Sequence, residues 1–201
     1  MKQQPENFWN ERYASEAYAY GILPNSFFKK QLDQLKPGKI LLPAEGEGRN
    51  AVYAATQSWK ALAFDISDSG RKKSLDLADK HQVNIEYLVS DVMNFQTENQ
   101  VDVLALIYAH FPPNIRKEAH QHLLKFLKPG GTIIFEGFAK EQIENTSGGP
   151  QNIDMLYSID EIKKEFQDLQ FTLLETKSID LQEGEFHQGK AEVIRFVGKK
   201  N

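Results

Sequence analysis

The sequence predicts an α/β fold: a mostly parallel sheet, covered by helices on both faces, closed by an antiparallel strand pair. Three observations carry this expectation. Short apolar runs alternate with helical stretches along most of the chain. Several of the runs end in an acid or a Gly-rich turn. The last two runs follow one another with no helix between them.

The elements come in order. KILLPA (39–44) is a buried-type strand that enters a Gly-rich turn, and RNAVYAATQ (49–57) has helical character. KALAFDI (60–66) is a second apolar run ending in an acid, followed by a charged helical segment from Ser67 to about His81. NIEYLVSD (84–91) repeats the pattern, and VDVLALIYAH (101–110) is the longest apolar run. After Pro112 and Pro113, the segment 114–127 places Ile115, Ala119, His122, Leu123, Phe126 and Leu127 on roughly one helical face. KPGG (128–131) has the chemistry of a tight turn, Pro fixing one φ and Gly supplying a positive one.

TIIFEGF (132–138) is a fifth strand, and an amphipathic helix is expected from Ser158 to about Leu169. FTLLETKSI (171–179) and AEVIRFVGK (191–199) bring the strands to seven. The stretch 181–190 is too short and too polar for a crossover helix, so these two strands should pair antiparallel at one end of the sheet.

At 201 residues the chain is long enough for one well-filled core and short for two, so a single domain over 1–201 is expected. With 40% hydrophobic and 26% charged residues it has the make-up of a globular domain. The formal charge of -4 argues against a partner held through phosphates, so no nucleic acid is expected. Cysteine is absent, which removes disulfides, thiolate nucleophiles and Cys-based metal sites. No apolar stretch follows Lys2, and no run approaches the length of a membrane span. The expectation is a cytoplasmic protein without a membrane partner, a monomer or weak homodimer.

The strongest chemical signal is PAEGEGRN (43–50), between the first strand and the first helix. Gly46 and Gly48 allow a tight turn and close approach of a ligand, and the helix behind them offers unpaired N–H groups to an anion. Asp65 ends the second strand, where an acid accepts the hydroxyls of a ribose. Asp91 ends the third strand, placed to accept from the exocyclic amine of adenine with Val92 or Met93 against the ring. Together the three point to a nucleoside site.

The Gly-rich turn, the acids ending strands two and three, and KPGG before strand five resemble the class I S-adenosylmethionine (SAM)-dependent methyltransferases. Their fold is a Rossmann-like, seven-stranded sheet. The segments FWNERY…YGILPNSFF (8–28) and EGEGRNA (45–51) are similar, more narrowly, to the tellurite-resistance and thiopurine/thiol methyltransferase-like branch. The resemblance implies SAM as cofactor and a small acceptor, with thiol, selenium and tellurium species the candidates of that branch. Two positions depart from the family's first motif: Leu42 stands where an acid is usual and Ala44 where the first glycine is usual, leaving Glu45 or Glu47 to take over an electrostatic role.

Carried over residue by residue, the resemblance implies that Ala44, Gly46 and Gly48 form the loop under the methionine part, with Glu45, Arg49 and Asn50 beside it. Asp65, Ile66 and Ser67 would hold the ribose, and Asp91, Val92 and Met93 the adenine. Tyr108, Ala109 and His110 would line the sulfonium side. The amino-terminal segment, 1–30, would cap the cofactor, with Arg12 available to its carboxylate and Trp9, Tyr13 and Tyr20 as walls.

Topology places the acceptor at the carboxyl ends of the parallel strands. The loops 110–114 and 136–152 belong to that rim, as does the turn 180–190 if its first strand runs with the others. His110, Glu136, Phe138 and His187 are the acceptor-side candidates, with His110 and His187 as proton-accepting or orienting groups. His120 and His122 are two apart on a helix and cannot share a face, so no metal site is expected.

Two rival readings remain at this point. An NAD(P)-dependent oxidoreductase fits Gly46-x-Gly48-x-x-Ala51 and Asp65, but Glu45 and Glu47 would crowd a pyrophosphate. A nucleotide- or SAM-binding module without turnover is the non-enzymatic rival.

Overall fold

Apolar residues spaced two apart give the strands two buried faces. In β1 (Lys39–Pro43), Leu41 turns to one face while Ile40 and Leu42 turn to the other. β2 (Lys60–Asp65) and β4 (Val101–Ile107) divide the same way, with Phe64, Leu104 and Leu106 on the Leu41 side and Ala63, Val103 and Ala105 opposite. The structure, a computed structural model, describes residues 4–201. Residues 1–3 of the expected cap lie outside the described residues.

With β3 (Glu86–Val89), β5 (Leu127–Phe138), β6 (Leu169–Glu183) and β7 (His187–Lys200), the strands form one seven-stranded sheet of order β3-β2-β1-β4-β5-β7-β6. β1 to β5 are parallel, and the order reverses between β1 and β4. β7 runs antiparallel between β5 and β6, so β6 points the same way as β1 to β5. The closing pair is present as expected, and the turn from β6 to β7 lies on the carboxyl edge.

Helices cover both faces. α2 (Ser26–Leu32) and α3 (Arg49–Thr56) bury Phe27, Phe28, Leu32, Ala51 and Ala54 on the Ile40 side. α5 (Arg116–Leu124) and α6 (Ile159–Glu165) bury Ala119, Leu123 and Ile162 on the Leu41 side. α4 (Asp68–Lys80) starts where Ser67 accepts a hydrogen bond from Gly70 N, and α6 starts with a reciprocal Ser158–Glu161 capping box. α1 (Pro5–Arg12) buries none of its residues and leans on α4.

Several expected boundaries shift. The stretch 180–190 is not an open rim loop. β6 and β7 stay paired up to Glu183↔His187, leaving a tip of Gly184, Glu185 and Phe186 with Gly184 at φ 68°. Its polar composition resembles a loop because one face of the ribbon meets solvent. The KPGG turn is folded into β5: Leu127 and Thr132, five apart, face Val101 and Val103, two apart. No α-helix joins β3 to β4, so the alternation is less regular than the sequence suggests. Among the described residues, no helix is long and apolar enough to cross a membrane.

His120 and His122 go to separate partners. His120 is fully buried, with Nδ1 2.7 Å from Glu165, which also pairs with Arg116. His122 Nε2 donates to the Phe95 carbonyl at 2.8 Å. Among the described residues, no group of His, Asp and Glu is arranged to hold a metal.

Candidate active site

Backbone strain gathers where the central strands end. Ala44, leaving β1, has φ 51°, and Tyr108, leaving the adjacent β4, has φ 54°. Both are left-handed conformations that disfavour a side chain. Tyr108 is held there by Glu136: its N–H donates to the Glu136 carbonyl at 2.7 Å and its hydroxyl to Glu136 Oε1 at 2.8 Å. In the loop between β1 and α3, a Cβ on Gly46 would stand 2.6 Å from the Tyr13 hydroxyl, and one on Gly48 would stand 2.0 Å from Ser74 Oγ. Both glycines are required by close approach as well as by φ.

The two acids of this loop have separate tasks. Glu45 folds back onto the start of α3, where Oε1 accepts from Asn50 N at 2.7 Å and Ala51 N at 2.8 Å, and Oε2 from Asn50 Nδ2 at 3.3 Å. Burial raises its carboxyl from 4.5 to about 7, against the lowering effect of those bonds. The helix N-terminus, expected to stand open to a ligand anion, is thus occupied by the chain's own carboxylate. Glu47 is buried and forms an ion pair with Lys73 at 2.6 Å, at an angle too poor for a hydrogen bond. Lys73 also donates to the carbonyls of Ser15 and Ala17, which ties the cap to α4.

Asp65 is buried at the end of β2 and joins the loop to α4: Oδ2 accepts from Gly46 N at 3.0 Å and Oδ1 from Ser67 N at 2.9 Å. Burial raises its carboxyl to about 6. A carboxylate has about four accepting positions, so these bonds leave accepting capacity for a ribose hydroxyl. Ile66 follows it, partly exposed. Asp91 keeps one oxygen on Met93 N at 2.8 Å and is partly exposed, while Val92 and Met93 pack on the core beside Phe64 and Phe95. An acid for a ribose, an acid for an amine and an apolar shelf are the donor set that an adenosine needs, and these residues fit it.

The cap lies over this site. Trp9 stacks on Tyr13 at 5.5 Å, and Tyr13 is buried against the Gly46 loop, its phenol held well above its ordinary pKa by burial and by Asp65. Asn10 bridges Ser67 Oγ and Ser69 N. Tyr87, from β3, donates to the Gly46 carbonyl. Arg12 sits 3.8 Å above the Phe186 ring at the hairpin tip, and Tyr20 lies beside both Tyr13 and Phe186.

At the base of the β6–β7 hairpin, where the acceptor is expected, His187 is 5% exposed and ringed by Tyr20 at 4.5 Å, Tyr108 at 4.7 Å and Phe138 at 5.3 Å. Below it runs a buried polar network. Glu136 accepts from Tyr108, from Asn25 Nδ2 at 2.6 Å and from Arg195 Nε. Glu183 accepts from Arg49 Nη2 at 2.8 Å, from His187 Nδ1 at 3.2 Å and from Asn25 Nδ2 at 3.3 Å. Arg49 and His187 together hold its carboxyl down to about 2. Asn25 N in turn donates to Asn50 Oδ1, linking this network to Glu45.

His110 corrects its expected role. It follows Ala109, whose carbonyl accepts from the Tyr157 hydroxyl, and both its ring nitrogens are taken. Phe138 N donates to Nε2 at 3.1 Å, so Nδ1 carries the proton and donates to the Met155 carbonyl at 2.9 Å. Burial lowers its pKa to about 4. The ring fastens β4 to β5 and has no free lone pair for an acceptor. The structure therefore brings together the loop, Asp65, Trp9, Arg12, Tyr13, Tyr20, Tyr108 and His187, and removes His110 from the open wall. Sequence reasoning misses Asn25 and Glu183. Asn25 is legible as a helix N-cap before SFFKKQL, but its reach to Glu136 and Glu183 spans strands far apart in the chain.

With this geometry in place, residues 40–131 match the methyltransferase domain family. TehB from Haemophilus influenzae is similar in fold, with a TM-score of 0.74 and 14% identity over 98% of this chain and 67% of that one. A protein described for the conversion of a disulfide bond into a thioacetal group during echinomycin biosynthesis gives 0.78 and 13% over 97% and 89%. Magnesium protoporphyrin IX methyltransferase from Synechocystis PCC 6803, crystallised with S-adenosylhomocysteine (SAH), gives 0.70 and 11% over 98% of each chain. No curated protein matches the sequence. The stretch 40–131 thus resembles a methyltransferase domain, and the solved structures share the fold of the whole sheet.

Proposed function

We propose that this chain transfers the methyl group of SAM to a small-molecule acceptor held between the cap and the β6–β7 hairpin. The observation that carries the reading is Asp65, buried at the end of β2 and bound to both the Gly46 loop and Ser67, with accepting capacity left for a ribose. Asp91, Val92 and Met93 would take the adenine. Ala44, Gly46 and Gly48 would pass under the methionine part, and Arg12 of the cap would meet its carboxylate. Tyr108 and Ala109 would face the sulfonium, with Trp9, Tyr13 and Tyr20 closing the chamber. Glu45, Arg49 and Asn50 act behind this wall, fixing the start of α3.

Bound SAM supplies an electrophilic methyl carbon and a good leaving group, so the protein's main task is alignment in a water-excluded site. Glu45 favours this reading over a nicotinamide dinucleotide, because it holds the N–H groups at the start of α3 that a pyrophosphate would need. The rings of Tyr13, Tyr20, Tyr108 and His187 that enclose this end of the sheet favour a small acceptor over a polymer. Methyl-labelled SAM incubated with small amines, phenols and thiols should place label in the small-molecule fraction. Label appearing only in added RNA or protein would overturn the acceptor reading.

A further inference from the structure

Building on that reading, we infer that Glu183 fixes His187 in the tautomer whose free nitrogen takes a proton, so that the acceptor bears its nucleophilic lone pair on a protonated oxygen or nitrogen. The branch that the sequence resembles suggests soft anions, which need no base. The lining of this chamber suits the other class.

Glu183 is held ionised and can only accept, so the 3.2 Å contact requires a proton on His187 Nδ1. Burial holds the ring below its ordinary pKa and therefore neutral, which leaves the lone pair on Nε2. Among the described residues, Nδ1 makes the ring's only hydrogen bond. The Nε2 edge is bordered by Gly148, where a Cβ would stand 2.6 Å from Cδ2 and 3.2 Å from Nε2. A glycine at φ 136° thus keeps that edge clear of a side chain.

Glu183 is itself immobilised. Arg49 Nη2 and Asn25 Nδ2 hold its two oxygens, and Arg49 Nη1 is tied to the Tyr20 carbonyl at 3.1 Å. The groups facing His187 are Tyr20 from the cap, Arg49 from α3, Tyr108 from β4, Glu136 from β5 and Glu183 from β6, with His110 behind Phe138. Within this network every guanidinium is paired, Arg49 with Glu183 and Arg195 with Glu136, and the one group with a free lone pair is a neutral base.

In the transfer, the acceptor's lone pair forms the new bond to the methyl carbon as the carbon–sulfur bond breaks and its electron pair goes to sulfur. The acceptor's proton passes to His187 Nε2, and the imidazolium is stabilised by Glu183 until it releases the proton to solvent. His187 is the catalytic residue in this scheme, and Glu183 and Gly148 are positioning residues.

The test uses methyl-labelled SAM with catechol, tyramine and thiophenol as probes. The parent should methylate catechol or tyramine, with kcat rising with pH through the lowered titration of His187 and then levelling. His187→Gln should lower that rate about a hundredfold or more and lose the rise. Glu183→Gln should lower it at least tenfold and move the acid limb to lower pH, because removing the carboxylate weakens the imidazole as a base. Both variants should keep SAH affinity within about twofold. Nitrogen-15 NMR of the parent reads the tautomer without any variant, and a proton on Nε2 at neutral pH would overturn the inference. So would methylation of thiophenol alone, turnover of none of the probes by protein that binds SAH, or pH profiles unchanged in the variants. Failure of the parent to bind SAH would instead overturn the methyltransferase reading on which this one rests.

Discussion

Replacing Glu45 by glutamine tests how far a partly buried carboxyl held at the start of α3 governs stability. Burial raises this carboxyl from 4.5 to about 7, so the folded protein binds a proton more tightly there than the unfolded chain does. A group raised in this way contributes stability that is fully present below pH 4.5 and is lost as pH rises to about 7. At 1.36 kcal/mol per pKa unit the loss is about 3 kcal/mol. His110, lowered from 6.5 to about 4, acts in the opposite sense over much of the same window, so the parent's own profile is partly compensated. The difference between parent and variant isolates Glu45. The substituted amide retains one carbonyl oxygen for Asn50 N and Ala51 N but carries no charge. In urea unfolding without added ligand, Glu45→Gln should gain about 3 kcal/mol on the parent between about pH 4.5 and 7.5. A stability difference that stays constant across that range would refute the argument, because it would mean that Glu45 is not ionised at a cost in the folded protein.

Two further outcomes follow from the same geometry. His110→Ala removes the partners of Phe138 N and the Met155 carbonyl and should destabilise the protein by about 2–4 kcal/mol in denaturant unfolding, while leaving the acid limb of any transfer profile in place. Loss of that limb would return His110 to the candidate bases. Asp65→Ala should weaken SAH binding by about 1.5–3 kcal/mol in a protein that still folds, and unchanged affinity would move the ribose acid elsewhere.

The fold is legible in the sequence because its signal is local and periodic. KILLPA, KALAFDI and VDVLALIYAH announce buried strands by composition, and the missing helix before AEVIRFVGK announces the antiparallel pair. The hairpin 180–190 reads as a loop because a two-faced ribbon ending in Gly184 is as polar as a loop. The loop between β1 and α3 is visible as Gly46 and Gly48, yet the position of Glu45 depends on how its side chain reaches five and six residues forward, which spacing alone leaves open between Glu45 and Glu47. The Asn25–Glu136–Glu183 network is invisible for a different reason. Its members come from the start of α2, from β5 and from β6, and only the order β5-β7-β6 brings them together. The sequence places His110 at the right strand end, but its two hydrogen bonds depend on neighbours 28 and 45 residues away.

In the proposed function the strand-end acids and the Gly46 loop hold the adenosine and methionine parts of SAM. Calorimetric titration of the protein with SAH and, separately, with NAD tests it most directly. One SAH per chain is expected, with a thermal midpoint that rises with SAH concentration, because a ligand bound only by the native state stabilises it by about 2.7 kcal/mol at a hundredfold excess over Kd. NAD should produce neither effect. Heat and stabilisation with NAD, and none with SAH, would mean that this site holds a dinucleotide instead.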